Sequence, residues 1–277
     1  MDVVRVAGWT EIDWLRHGFT TRGGGVSTVY GGESLGETLN LGWTKEDDPR
    51  CVAENRRRLV EEVAGDKERP MRLVTVRQVH SGMVRAVGPR DGALEGRLET
   101  PEGKAVLEGD GLVTNVPGVL LGVGTADCAP VLVVDRGRRA VGAFHAGWRG
   151  TVARIAEQGI EAMRREYGSR AEDLEAAVGP SIGQCCYAVG DEVKGKFATE
   201  FEYGEELFRR DGGQMYVDLW EANRRQLLDA GVATEKIAVV GECTACARDT
   251  AGERRYFSHR AERGVAGRML NVVGIAG

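Results

Sequence analysis

The sequence predicts an α/β or α+β fold built on mixed β-sheet, and three observations predict it. Short apolar runs rich in Val, Leu and Ala recur along the chain. Segments with apolar residues at helical spacing alternate with them, and Gly, Pro and Asp mark the junctions. In chain order, Asp47-Asp48-Pro49 reads as a capped helix start with proline in the first turn, the helix running to about Val63. Residues 73–79 and 84–87 are strand-like. Residues 88–109, rich in Gly, Glu and Arg, read as an exposed excursion between two strands rather than a domain boundary. Residues 118–124 and 130–135 are apolar runs on either side of a Thr125-Ala126-Asp127-Cys128 turn. A third, 140–144, leads into His145-Ala146-Gly147-Trp148-Arg149-Gly150. Residues 151–167 carry Val152, Ile155, Ala156, Ile160, Met163 and Tyr167 at helical spacing. Residues 174–178 form a strand broken by Gly179-Pro180, and 218–230 a helix ended by Gly231. Residues 237–240 and 267–275 supply the last strands. No internal repeat is visible, and 277 residues can form one large domain or two small ones.

Composition narrows the partners. The chain has 277 residues, a net charge of −5 and no basic block, so neither nucleic acid nor an anionic membrane is expected. The longest apolar run, at 118–123, is far short of a bilayer span. The first residues lack the apolar stretch of a secretory signal, which makes a cytoplasmic address the expectation. Without a coiled-coil pattern or a long apolar edge, a monomer is expected.

The six cysteines do not look like a disulfide framework in a chain of this length. Cys243-Thr244-Ala245-Cys246 has metal-knuckle spacing, but no second such pair completes a four-cysteine zinc site, so ordinary packing is expected there. Cys185 and Cys186 are adjacent and cannot share one face of a strand; one is expected inside and one outside.

The chemistry concentrates in three stretches: Arg77-Gln78-Val79-His80, the turn holding Asp127-Cys128, and the segment from His145 to Gly150. His80, Cys128 and His145 each stand where a predicted strand begins or ends, which is how residues distant in sequence meet. Two imidazoles and a thiolate suit a tetrahedral zinc with one position left open, as in catalytic rather than structural sites. The same groups without metal make a Cys–His nucleophilic site. Arg149 is a forked cation suited to phosphate or carboxylate, while Gly147 and Gly150 let backbone approach a ligand at a helix start. The bland alternative is a glycine-rich helix start with a solvent-facing arginine. Asp127 reads either as an orienting carboxylate or proton carrier, or as a turn residue capping Thr125. The segment from Thr21 to Ser27 holds Arg22 among glycines without the Lys-Ser/Thr of a phosphate loop, so a mobile loop is favoured over a substrate lid. Structural roles are expected for His17 and His259. Cys185, Cys186 and Asp127 are the candidates for a fourth zinc ligand.

Seven segments in order, HGFTTRGGGVS, LNLG, RQVHSG, GDGLVTNVPGVLLGVGTADCAPVLVVD, GAFHAGWRG, AVGPSIGQCCYAVGDEV and YFSHR, resemble the YfiH family, also called laccase-domain or polyphenol oxidoreductase proteins. The resemblance spans the chain from His17 to about Gly274. It implies an α/β/β/α layered domain similar to the catalytic domain of cytotoxic necrotizing factors, and a zinc held by His80, Cys128 and His145. Two positions depart from the family pattern. Ser81 stands where glycine is common, and His259 where tyrosine is frequent.

What the resemblance implies for function is purine nucleoside chemistry: phosphorolysis of adenosine, inosine or methylthioadenosine to free base and ribose 1-phosphate, with adenosine deamination as a second activity. On that reading zinc acts as Lewis acid, and Arg149 and the helix start, helped by Arg22, hold phosphate. Deamination would use activated water at purine C6 with Asp127 carrying the proton. The alternative is a thiol hydrolase with Cys128 as nucleophile, acting on peptidoglycan-precursor peptides. A copper-dependent polyphenol oxidase is disfavoured, because four histidines in all cannot furnish a blue site plus a trinuclear cluster.

Overall fold

The computed structural model describes residues 1–277 apart from 32–35, 66–70, 90–98 and 101–102. Its strands, in chain order, are β1 (Val3–Val4), β2 (Leu15–Thr20), β3 (Gly23–Ser27), β4 (Arg72–Thr75), β5 (Val84–Val87), β6 (Gly111–Thr114), β7 (Val119–Thr125), β8 (Ala129–Asp135), β9 (Ala140–Ala146), β10 (Leu174–Val178), β11 (Ala188–Val189), β12 (Phe208–Asp211), β13 (Gln214–Val217), β14 (Ile237–Val239) and β15 (Met269–Ile275). The helices are α1 (Pro49–Ala64), α2 (Trp148–Val152), α3 (Ile155–Tyr167), α4 (Asp191–Glu200) and α5 (Leu219–Asp229). Two mixed sheets dominate, one in the order β1-β2-β15-β7-β4 and one in the order β14-β10-β8-β9-β6-β5. A small third sheet has the order β11-β13-β12.

The apolar runs are continuous rather than alternating because their strands are buried on both faces. Along β7, Val119, Leu121 and Val123 enter the core between the two large sheets, while Leu120 packs on the opposite side with Leu59 and Val63 of α1. Along β8, Leu132 and Val134 enter that same intersheet core, and Val131 and Val133 face Ile155, Ile160 and Met163 of α3 and Leu227 of α5. The result is α1, sheet, sheet, then α3 with α5, which is the α/β/β/α layering that the family resemblance implies.

Helix α1 begins as expected: Asp48 is its N-cap, its side chain accepting from the Arg50 N–H, and Gly65 closes it at φ 70°. Helix α5 is likewise capped by Asp218, which accepts from the Glu221 N–H. Three readings need correction. The helix expected over 151–167 is two helices, broken where Arg154 turns left-handed at φ 56°, its guanidinium bonded to Glu157 and Glu200. The strand expected over 73–79 stops at Thr75, for a reason that bears on the site. The glycine-rich segment that follows Arg22 forms strand β3 over Gly23–Ser27 rather than a mobile loop. A side chain at Gly25 would collide with the Thr38 carbonyl, and Asn55 bonds both Val26 N and Ser27 Oγ. Helix α4 and the β12–β13 hairpin were not anticipated; on α4, only Phe197 is buried. The excursion at 88–109 does join β5 to β6, and its residues 90–98 and 101–102 lie outside the described part.

Candidate active site

Cys128 and His145 meet at one end of the second sheet because β8 and β9 are antiparallel neighbours, with Ala129 opposite Ala146 and Pro130 opposite His145. On the other side of β9, Gly111 lies opposite Phe144, and the His145 N–H extends that ladder to the Asp110 carbonyl at 2.7 Å. His80 arrives from the first sheet. After Thr75 the Gln78 side chain takes over the pairing, donating to the Gly124 carbonyl at 2.8 Å and accepting the Gly124 N–H at 2.7 Å. The Arg77 backbone meanwhile bonds Leu107 and Gly109 beside the second sheet. This transfer ends the strand early and carries His80, at φ 59°, to Cys128 and His145. The three ligating atoms lie within 4.8 Å of one another, and the two imidazoles meet edge to face with centroids 4.9 Å apart.

Asp110 organises this group, and sequence reading did not assign it a role. Its Oδ1 accepts from the His80 N–H at 3.0 Å and pairs with His145 Nδ1 at 2.9 Å. Its Oδ2 accepts from the Ser81 N–H at 2.6 Å, the Ser81 hydroxyl at 2.8 Å and the Val79 N–H at 3.3 Å. A carboxylate on Nδ1 fixes the imidazole so that Nε2 is the nitrogen left for Cys128 or a metal. Ser81, the departure from the family pattern, adds a hydroxyl donor that glycine lacks. The only available signal for Asp110 was its place between two glycines at the start of a strand, which also describes an ordinary turn.

The electrostatics follow from this packing. Burial alone would raise the Cys128 thiol, but His145 and hydrogen bonds from both imidazoles bring it down to about 6. Burial would lower His145, yet the Cys128 sulfur and Asp110 raise it to about 9. Asp110 is lowered to about 2 against the pull of burial, by His145 and the Ser81 donors. These are the shifts of a thiolate beside an imidazolium, and the same anionic sulfur is what a metal requires. The donor set fits zinc: one thiolate, two imidazoles, one of them already oriented by a carboxylate. No fourth Cys, His, Asp or Glu joins the group among the described residues.

The group opens into a cleft of about 730 Å³ that Asp127, Arg149, Tyr187 and His259 also line. Arg149 stands in the wall with its guanidinium 4.2 Å over the Trp148 ring. His259, expected to be structural, therefore reaches the cleft. His17 is structural as expected: it is buried and its Nε2 accepts from the Val6 N–H at 3.0 Å.

Other expectations fail for identifiable reasons. Arg22 is buried, bonded to the Tyr30 carbonyl at 2.5 Å and paired with Glu262 at 3.2 Å, and does not line the cleft. Gly147 and Gly150 admit close packing by the site's own residues. A Cβ at Gly147 would lie 2.8 Å from Cys128 Sγ, and one at Gly150 3.1 Å from the His145 carbonyl. The helix they open, α2, is barely more than one turn, too short for the dipole of a longer helix. Asp127 does not orient a ligand histidine, since Asp110 does. At φ 94° it accepts from Thr244 Oγ1 at 2.7 Å and from the Arg260 N–H at 2.7 Å, tying three loops together. Nor is it the cap of Thr125, whose hydroxyl is bonded by Asn271. Cys185 and Cys186 are not fourth ligands here; they gather elsewhere with Cys243 and Cys246.

Known proteins share this architecture. Residues 16–276 match the family model described as multi-copper polyphenol oxidoreductase laccase. "Purine nucleoside phosphorylase YlmD" of Geobacillus stearothermophilus is 39% identical over 268 residues, covering 94% of each chain. "Adenosine deaminase RL5", from an unknown prokaryotic organism, is 42% identical over 177 residues, 63% of this chain and 66% of that one. The crystal structure of Bacillus licheniformis hypothetical protein YfiH superposes with a TM-score of 0.82 at 31% identity, covering 98% and 96% of the two chains. That of YlmD from Geobacillus stearothermophilus gives 0.81 at 34% identity, covering 99% of each. Matched by that family model over residues 16–276 and by relatives and solved structures over nearly its whole length, the chain belongs to the YfiH family.

Proposed function

We propose that this protein is a zinc-dependent purine nucleoside phosphorylase that also deaminates adenosine, with His80, Cys128 and His145 holding the metal. The observation that carries the reading is the three-donor group opening into a cleft that also holds Arg149, in a chain whose full-length relatives bear that name. Zinc bound there supplies a Lewis acid beside the substrate.

In phosphorolysis a phosphate oxygen bonds to ribose C1′ while the C1′–N9 bond breaks, and the departing base takes its electron pair and then a proton. Arg149 holds the phosphate dianion in the cleft, its fork matched to two phosphate oxygens. Tyr187 offers an aromatic face for the base, and His259 or Asp127 supplies the proton. Asp110 keeps the His145 ring from turning throughout. In deamination water adds at purine C6 and ammonia leaves, with Asp127 carrying the proton between them. The proposal includes one catalytic unit over residues 1–277, acting as a cytoplasmic monomer on small molecules.

A second reading has its own observation in support. Cys128, His145 and Asp110 stand in nucleophile–base–orienter order, so the metal-free site has the form of a thiol hydrolase acting on peptide amides. Chromatography of adenosine and inosine, with and without phosphate and beside a Cys128→Ala control, separates the readings. Phosphate-dependent free base that vanishes in the control supports phosphorolysis, and phosphate-independent inosine from adenosine supports deamination. No conversion of either, together with rapid single-site alkylation of Cys128 in zinc-loaded protein, would overturn both in favour of the hydrolase.

A further inference from the structure

Around the loop whose Thr244 bonds Asp127, four of the six cysteines converge. The sulfurs of Cys185, Cys186, Cys243 and Cys246 all lie within 4.8 Å of one another, and Cys185 Sγ is 3.8 Å from Cys246 Sγ. A tetrahedron with zinc–sulfur bonds of about 2.3 Å has edges of about 3.8 Å. We propose that these four cysteines form a second, structural zinc site, a closed tetrathiolate distinct from the open His80–Cys128–His145 group. The inference rests on no assumption about the reaction catalysed.

The backbone around the cluster has the form that such a site requires. Cys243 to Cys246 make a tight turn, with Cys246 N and Ala247 N both bonded to the Cys243 carbonyl at 3.3 and 2.8 Å. The other pair comes from a turn, not a strand, so the two adjacent side chains need not point to opposite faces; Cys186 N and Tyr187 N both reach the Gly183 carbonyl. The expectation of one inside and one outside assumed a strand; in the turn Cys185 is exposed and Cys186 is half-buried against Ile182 and Ala245. A bridge between Ser181 and Cys243, with Thr244 N bonded to the Ser181 carbonyl at 3.0 Å, holds the two loops side by side. A zinc-type knuckle was discounted from sequence for want of a second Cys-x-x-Cys, but vicinal cysteines in a turn supply the missing two ligands.

The surroundings favour bound metal over free thiols. The Gly183 N–H donates to Cys243 Sγ at 3.3 Å, the kind of contact that stabilises a metal-bound thiolate. Cys243 is buried against Ile182 and Ala245, whereas Cys185 and Cys246 are exposed, which gives an ion a way in. Soft thiolates in a tetrahedral set select zinc over magnesium or calcium. The metal would clamp the loop bearing Tyr187, which lines the cleft, to the loop bearing Thr244, which bonds Asp127.

The test is zinc content and zinc absorption spectroscopy on the intact chain, purified under reducing conditions with zinc alone supplied. Wild-type protein is expected to carry two zinc ions per chain. Cys128→Ala is expected to keep one, with a first shell of four sulfurs at about 2.3 Å. Cys243→Ser/Cys246→Ser is expected to keep the other, with mixed nitrogen and sulfur ligands; if that variant fails to fold, Cys128→Ala still decides. The proposal is overturned if Cys128→Ala holds no zinc, or if its zinc shows fewer than four sulfur ligands. It is equally overturned if the native protein has the mass of a chain with disulfides among these four cysteines.

Discussion

Replacing Asp110 with asparagine tests the organisation of the active site at its least replaceable atom pair. Each carboxylate oxygen accepts at least two hydrogen bonds: from His80 N–H and His145 Nδ1 on one side, and from Ser81 N–H and hydroxyl on the other. Asparagine has one carbonyl oxygen, so one side must face an NH2 group. At about 1–3 kcal/mol for each buried donor left unsatisfied, two such donors cost about 2–6 kcal/mol of stability. For a chain of this length that corresponds to about 3–10 °C in Tm. The His145 ring also loses its anionic anchor, and comparable changes outside the ligand set cost about 10–100-fold in metal affinity. Competition against a chromophoric chelator measures that loss, and differential scanning calorimetry the stability. A folded Asp110→Asn protein that binds zinc within twofold of wild type would refute the claim that Asp110 orients the site.

Three further predictions follow from particular contacts. Gly147→Ala places a methyl group 2.8 Å from Cys128 Sγ and 3.3 Å from His80 Cδ2, and should weaken zinc binding at that site by at least about tenfold, read by the same competition assay. Gly159→Ala gains about 1 kcal/mol in helix propensity but drives a methyl into the fully buried Phe144 ring, at about 1–3 kcal/mol. Net destabilisation in urea is therefore expected, and a stabilised variant would show that Phe144 can move. His17 is lowered to about 4 by burial and then by Arg5, so the folded state prefers the neutral ring. The unfolded chain takes up a proton near 6.5 that the folded chain refuses. This contribution, on the order of 3 kcal/mol, is present above pH 6.5 and lost as pH falls to about 4. His17→Gln should flatten the pH dependence of urea unfolding over that window; an unchanged slope would contradict the assignment.

How much of this was legible in the sequence depends on what each segment packs against. The strands β7, β8 and β9 stood out because burial on both faces leaves an unbroken apolar run, and α1 because Asp48 and Pro49 mark its start. His80, Cys128 and His145 were legible as strand-end residues of the right chemistry, strengthened by the family resemblance. Asp110 was not, because an aspartate between glycines reads as a turn until its five donors are seen. Arg22 was misread because an arginine among glycines looks free, whereas Glu262 and the Tyr30 carbonyl, both distant in sequence or across a loop, engage it. The break at Arg154 was hidden because the apolar spacing continues across it. The four-cysteine cluster was hidden because its outer members, Cys185 and Cys246, are 61 residues apart and one half is vicinal rather than spaced.

The central claim, that the His80–Cys128–His145 group is where nucleosides react, is tested most directly by returning zinc to chelator-treated protein while following phosphate-dependent release of hypoxanthine from inosine. The account predicts no release before zinc is added, a rise that stops when the group is filled, and none at any zinc level in Cys128→Ala. Undiminished release from the stripped protein, or from zinc-loaded Cys128→Ala, would contradict it.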